Sequence, residues 1–326
     1  MKLIRGLQNL RSSQQCSVVT IGTYDGLHLG HLSLLRRLAE HGARISRPTM
    51  MLTFEPMPRE FFAPENPPPR LTSLRERCRL LQRMGLDSLC VLRFDERLRD
   101  MTGEAFAQLL ARDLRATIVV IGHDFKFGRG AEGTAAAMQA AGGRLGFEVD
   151  VVPPVQVNGV RVSSSGIRDG LARGDFAQVE QWLGRPYSMI GRVVQGERLG
   201  RTLGYATANM RLGRLRSPVQ GIFAVRVRGA VAGAGAAGPS KLPGAASSGT
   251  RPTVGGVASL GTRPTVGGMV PLLETHLFDF TGDLYGREIE VEFVAKLRDE
   301  QRFGSLEALV EQMQRDATEA RSVLNI

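Results

Sequence analysis

Lysine, cysteine and aromatic residues are scarce in this chain, and no long apolar run occurs. Lys2, Lys126, Lys241 and Lys296 are the only lysines among 42 basic residues, so arginine carries the net charge of +10. Such a balance points to anionic partners, from nucleotides up to nucleic acid. The arginines are scattered and form no run, and with one Trp and 6% aromatic residues few rings are available to stack on bases. Nucleic acid is therefore not expected as a partner, and small phosphorylated ligands are. The arginine skew, beside abundant Ala and Gly, also fits coding bias. Cys16, Cys78 and Cys90 are odd in number, widely spaced and contain no C-x-x-C pair. That excludes a zinc ribbon or a disulfide framework and leaves inert thiols. No stretch of about 18 apolar residues is present, so no membrane span is expected. The opening MKLIRGLQNLRSSQQC lacks the apolar core of a signal peptide. A cytoplasmic location is the expectation.

At 326 residues and 42% hydrophobic content, two soluble domains are expected. In the first half, the runs 17–22, 49–54, 88–93, 117–122 and 147–152 read as continuous apolar strands. Between them apolar residues recur at helical spacing: Leu32, Leu35 and Ala39; Leu74, Cys78 and Leu81; Phe106, Leu109, Leu110 and Leu114. Alternation of this kind predicts an α/β domain, a parallel sheet with helices on both faces. After about residue 186 the texture changes. GRVVQG, GIFAVRVRG, LLETHLFDF and REIEVEFVAKL alternate as strands, and only Leu306 to Val323 looks helical. Strands between Gly-rich turns predict a small antiparallel β-barrel with a C-terminal helix. The boundary is placed near LGRPYSM, giving domains 1–185 and 186–326, with a flexible insertion at about 229–255. GTRPTVGG occurs at 249–256 and again at 261–268, an offset too short for a solenoid unit. It reads as a local duplication that lengthens a loop.

The stretch IGTYDGLHLGH, residues 21–31, places two of the chain's five histidines, His28 and His31, at a strand-to-helix corner. Ligands of open parallel sheets bind at such corners. Metal, acid/base chemistry and phosphate binding all fit a histidine pair. Zinc lacks a third ligand nearby, and the free N–H groups of a helix start favour phosphate. Helix capping is the plain structural reading. Ser163, Ser164 and Ser165 precede Arg168 at another helix start, where spacing alone equally fits phosphate donors or an N-cap cluster. Asp124 follows a strand. Pro56 and Pro58 suit a rigid loop or a mere turn. Glu274 is the one carboxylate in LLETHLF, either an outward strand residue or a poised base.

G-T-Y-D-G-L-H-L-G-H resembles the signature of the H-x-G-H nucleotidyltransferases, and within them the adenylyltransferase module of bacterial bifunctional riboflavin kinase/FMN adenylyltransferases (FAD synthetases). FEPMPRE (54–60), RLTSLRER (70–77), IGHDFKFGRGAEG (121–133) and RVSSSGIRDGLARGD (161–175) follow in the expected order. GRTLGYATAN (200–209), GVASLGTRPT (256–265) and LETHLFDFTGDLYG (273–286) resemble the riboflavin kinase module. The resemblance covers essentially the whole chain apart from the 229–255 loop. It implies a Rossmann-like domain followed by the barrel, and an enzyme that phosphorylates riboflavin to FMN and adenylylates FMN to FAD, with ATP and Mg²⁺.

The same resemblance implies the residue roles. His28, His31 and Arg168 would serve adenylyl transfer, and Glu274 would be the kinase base. Gly22, Asp25, Gly30, Ser163, Ser164, Ser165, Gly200 and Gly204 would bind nucleotide. Pro56, Pro58, Asp124 and Arg298 would bind flavin, Arg298 from a mobile loop or the plain surface, and Thr207 and Asn209 would hold Mg²⁺. Riboflavin, FMN and ATP are the implied partners, without membrane or nucleic acid; a weak homo-oligomer is left open. Ala206 stands where the family has Pro, Ser165 where it has Thr, Gly166 where a basic residue is usual and Met57 where His is common. The second GTRPTVGG is matched to the family position, since GVASL precedes it. An adenylyltransferase with an impaired kinase, or a non-catalytic flavin- or nucleic-acid-binding regulator, are the alternative readings.

Overall fold

The computed structural model describes residues 1–10, 17–195, 207–230, 253–265 and 268–326, with backbone only for 262–265 and 268–270. Cys16, Gly200, Gly204 and Ala206 lie outside the described residues. Contacts divide the chain into two compact units: Met1–Pro68 with Leu74–Ser164, and Pro69–Ser73 with Ser165–Ile326.

The first unit is built on six parallel strands. They are β1 (Lys2–Arg5), β2 (Val18–Ile21), β3 (Thr49–Glu55), β4 (Ser88–Arg93), β5 (Ile118–Gly122) and β6 (Glu148–Val152), in the order β1-β4-β3-β2-β5-β6. All five expected strands are present; β1 is an additional edge strand. Successive residues of a strand face opposite layers. Val19, Ile21, Met50, Leu52, Val119 and Ile121 meet Phe106, Leu110 and Met138 on one side. Val18, Met51, Leu89 and Val120 meet Leu35, Leu38 and Leu81 on the other. Burial on both faces is why these strands read as unbroken apolar runs. Helix α1 (Leu29–Ile45) returns from β2, and α2 (Leu74–Arg83) leads into β4. The chain runs to β3 and β4 on one side of β2 and to β5 and β6 on the other, so the order reverses beside β2. The carboxyl end of β2 is thus the crevice where doubly wound sheets take ligands.

Arg77 of α2 is fully buried. Its Nη1 donates to the Thr23 carbonyl at 2.6 Å and to Thr53 Oγ1 at 3.0 Å, and its Nη2 lies 3.9 Å from Glu55 Oε2. One guanidinium thus ties the loop after β2 to the end of β3. Arg77→Ala would strand the Thr23 carbonyl and leave a cavity. It is expected to lower the unfolding free energy by about 3 kcal/mol, read as a fall in the denaturant midpoint.

The second unit opens with helices α3 (Ser164–Arg173, whose first residue belongs to the first unit) and α4 (Phe176–Leu183). A closed antiparallel barrel follows. Its strands are β7 (Ser188–Val194), β8 (Thr207–Arg211), β9 (Gly221–Arg228), β10 (Thr253–Thr265), β11 (Gly268–Leu277) and β12 (Glu288–Arg298), ordered β7-β8-β11-β10-β9-β12. Closure removes exposed edges. Phe223 and Phe293 meet edge to face inside it, with centroids 5.2 Å apart, and Phe176 of α4 lies 5.9 Å from Phe223. The C-terminal helix α5 (Leu306–Leu324) lays Ala320 and Leu324 against Ala224 and Phe278.

The expected insertion runs too far. Thr253–Gly255 belong to β10, paired with Arg228, Val227 and Arg226 of β9. Glycine lowers β propensity and so reads as loop, but here it admits close neighbours. A Cβ on Gly256 would lie 2.3 Å from the His276 carbonyl, and one on Gly255 2.4 Å from Ile326 Cδ1. Beyond them β10 and β11 continue as one hairpin, paired from Gly256–Leu277 out to Thr265–Gly268.

Candidate active sites

After β2 the backbone of Tyr24, Gly26 and Leu27 takes positive φ of 49°, 89° and 45°. For the two side-chain-bearing residues this is costly, of order 1–3 kcal/mol each, and it folds Tyr24 and Leu27 inward, both at most 1% exposed. Asp25 and His28 are buried with them. His28 is the N-cap of α1: its Nδ1 accepts from the His31 N–H at 3.4 Å. With Nδ1 accepting, the proton of a neutral imidazole resides on Nε2, which is then the donor. The two imidazoles stack with centroids 3.6 Å apart and planes 20° apart. Gly30 permits this, since a Cβ there would lie 3.1 Å from the His28 ring. Gly22, just past β2, donates its N–H to the Leu52 carbonyl. Ser164, the first residue of α3, donates its hydroxyl to the Asp25 carbonyl at 2.8 Å. His28, His31, Asp25, Gly30 and Ser164 are thus brought together, and His28 caps α1 as the plain structural reading expects.

Pro56 follows a cis Glu55–Pro56 peptide, and Pro58 opens the short helix Pro58–Phe62. Beside them is an aromatic group that composition alone does not reveal: Phe54, Phe61 and Phe62 all pack edge-on to Phe94 at 5.3–5.9 Å. Phe62 remains 63% exposed. Asp124, two residues beyond β5, is ion-paired with Arg161. In the second unit Ser165 lies in α3, and Arg168 donates Nε to the Pro69 carbonyl at 2.7 Å.

A cavity of about 420 Å³ opens on the barrel, lined among others by Thr207, Ser259, Glu274, His276, Arg298 and Asp316. Antiparallel register explains the grouping. Asn209 of β8 and Ser259 of β10 both pair with Glu274 of β11, and Thr207 pairs with His276. The intervening Ala208, Ala258 and Thr275 are buried. Arg298 is the last residue of β12, not part of a mobile loop. Asp316 of α5 holds its Nε and Nη2 at 2.8 and 2.6 Å, and Phe303 lies under its guanidinium. Gln312 donates to the same carboxylate at 2.9 Å. Sequence reasoning missed Asp316 and His276. Asp316 carried a signal, a carboxylate three residues after Met313 on the helix's apolar stripe; His276 carried one too, two residues from Glu274 on the same strand face.

Thr207 and Asn209 supply neutral oxygens one pleat apart beside Glu274, a donor set that suits a hard cation shared with phosphates. Among the described residues no group of three or more His, Cys, Asp or Glu side chains forms a metal cage. No described helix is long and apolar enough to cross a membrane. Burial pushes the Cys90 thiol up to about 12, and the Cys78 thiol is raised chiefly by burial as well.

Two family models match: FAD synthetase over residues 10–166 and riboflavin kinase over residues 183–324. The bifunctional riboflavin kinase/FMN adenylyltransferase of Escherichia coli is 43% identical over 328 residues, spanning 100% of this chain and 99% of that protein. The proteins of the same name from Pseudomonas fluorescens and Haemophilus influenzae are 40% and 39% identical, over 99% and 100% of this chain and 98% and 100% of theirs. A crystal structure described as a macrolide-efflux protein from Streptococcus pneumoniae superposes with a TM-score of 0.75 at 27% identity, covering 98% of this chain and 99% of that one.

Proposed function

This chain belongs to the bifunctional riboflavin kinase/FMN adenylyltransferases, and we propose that the two sites described above carry its two transfers. The enzyme phosphorylates riboflavin with ATP to FMN and adenylylates FMN with ATP to FAD and pyrophosphate. Residues 1–185 form the adenylyltransferase domain and 186–326 the kinase domain.

In adenylyl transfer a phosphate oxygen of FMN attacks the α-phosphorus of ATP, and pyrophosphate departs. Positioning and charge stabilisation dominate such a step. His28 Nε2 and the first N–H groups of α1 face a triphosphate at the end of β2, with His31 stacked behind and Gly30 allowing close approach. Gly22, Asp25 and Ser163–Ser165 shape the nucleotide site, and Arg168 clamps phosphate. Pro56, Pro58, Asp124 and the exposed Phe62 receive the flavin.

In the kinase domain Glu274 takes the proton of the riboflavin 5′-hydroxyl as that oxygen attacks the γ-phosphorus. Thr207 and Asn209 would hold Mg²⁺, which when bound neutralises charge on the phosphates. Gly200 and Gly204 bind nucleotide, and Arg298 contacts flavin. The carrying observation is the placement of Glu274: it faces a cavity with Thr207 and pairs in register with Asn209, where a plain outward strand carboxylate would face solvent. That arrangement favours a working kinase over an impaired one. Cytoplasmic location, and no requirement for nucleic acid, complete the reading.

Incubation with riboflavin, ATP and Mg²⁺, followed by chromatography of the flavins, is expected to yield FMN first and then FAD. FAD formed from supplied FMN only would establish the impaired kinase, and absence of both products would sink the assignment of both sites.

A further inference from the structure

We propose that Tyr24 is a positioning residue for adenylyl transfer: its buried ring sets the plane of His31 and, through the stack, that of His28. The proposal rests on the reading that these histidines meet the triphosphate.

Tyr24 is 1% exposed, and its ring centroid lies 4.8 Å from that of His31 with the planes tilted 45°. Its hydroxyl meets Thr20 Oγ1. Thr20 donates its own single proton to the Val120 carbonyl at 2.7 Å, so the tyrosine is the donor to Thr20. A path of contacts therefore runs from the backbone of β5, through Thr20 on β2 and the tyrosine ring, to His31 and then His28. Burial raises the Tyr24 phenol far above its ordinary value, against a smaller lowering by Thr20, and keeps it a neutral donor.

An imidazole has two side-chain torsions and turns freely unless its faces are held. His28 is held at one edge by its bond from the His31 N–H, and on one face by the His31 ring. The His31 ring contacts the rings of both His28 and Tyr24. The tyrosine thus bounds the space in which His31 can turn. The left-handed backbone at Tyr24 and Leu27 has a purpose in this arrangement. It swings the tyrosine under the corner, where a loop serving only to connect β2 to α1 would have no reason to keep strained, non-glycine residues. Catalytic geometry is sensitive at this scale, since a misplacement of about 1 Å can cost on the order of 10²-fold in rate.

The test uses the full-length enzyme with Tyr24→Leu and Tyr24→Phe. Tyr24→Leu is expected to lower kcat for FAD formation from FMN about 10- to 100-fold, with the KM for FMN little changed and riboflavin phosphorylation within about twofold of wild type. Tyr24→Phe keeps the ring and is expected to restore kcat to within about threefold. In proton NMR the His31 imidazole signals should lose the tyrosine's share of their ring-current displacement in Tyr24→Leu, leaving that of the stacked His28 ring, and retain both in Tyr24→Phe. A core-filling role alone would lower thermal stability and leave kcat at wild type. That result, or a loss of kcat in Tyr24→Phe equal to that in Tyr24→Leu, overturns the proposal. Should Tyr24→Leu fail to fold, Tyr24→Met fills similar space without a ring face and decides by the same readouts. His31→Ala serves as the reference. If it leaves adenylyl transfer intact, the phosphate reading of the histidines falls; if it abolishes transfer while Tyr24→Leu does not, only the role of Tyr24 falls.

Discussion

Glu274→Gln is expected to reduce riboflavin phosphorylation about 10²- to 10⁴-fold in kcat, the usual contribution of a positioned base, while FMN supplied directly is still converted to FAD. The amide keeps the size and one acceptor of the carboxylate but cannot take a proton. Glu274 stands within β11, flanked in sequence by Leu273 and Thr275, which are both at most 1% exposed, so an isosteric change at Glu274 leaves the buried face of the strand intact. Stability should therefore barely move, and the KM for riboflavin should move much less than kcat. Initial rates of FMN formation, with adenylyl transfer from FMN as the internal control, check this. A wild-type kcat would remove Glu274 from the chemistry, and loss of both activities would contradict separate sites.

His28→Ala is expected to produce the reverse pattern: FMN accumulates from riboflavin, and FAD formation falls about 10²- to 10³-fold, as for loss of one donor at a developing charge. This residue has a second role that must be separated, because it caps α1. Losing a cap costs about 1 kcal/mol, which lowers the thermal midpoint without touching chemistry. His28→Asn discriminates, since asparagine caps well but presents no imidazole. An intact thermal midpoint with adenylyl transfer still lost assigns the defect to the donor. Recovery of both in His28→Asn would reduce His28 to a cap.

Much of the first unit was legible because β2, β3, β4 and β5 are buried on both faces and so are written as unbroken apolar runs. β1 escaped because KLIR sits at the sheet edge with only Ile4 buried. The i, i+3 spacing of His28 and His31 foretold a shared helical turn, and the stack confirms that they share it. Tyr24 beneath them was not legible, because nothing in one-dimensional spacing marks a left-handed turn at a tyrosine and a leucine. In the barrel the alternation of β8 put Thr207 and Asn209 on one side, and the same reading of β11 would have put His276 beside Glu274. It did not tell that the last helix brings Asp316 across to Arg298, a contact 18 residues apart in sequence and fixed only by how α5 lies on the barrel. Arg298 read as loop because KLRDE is charged; it is the final pleat of β12.

The two copies of GTRPTVGG divide one strand between them. The end of the first, Thr253–Gly256, lies on β9, and the start of the second, Gly261–Thr265, lies on β11. Their offset is twelve, an even number, and strands alternate faces with a period of two. Adding or removing one such copy shifts the strand lengthwise without turning any side chain over. An odd offset would have exchanged the barrel's interior for its exterior along the whole hairpin. A displacement of twelve residues therefore leaves every position of the strand on the face it already holds.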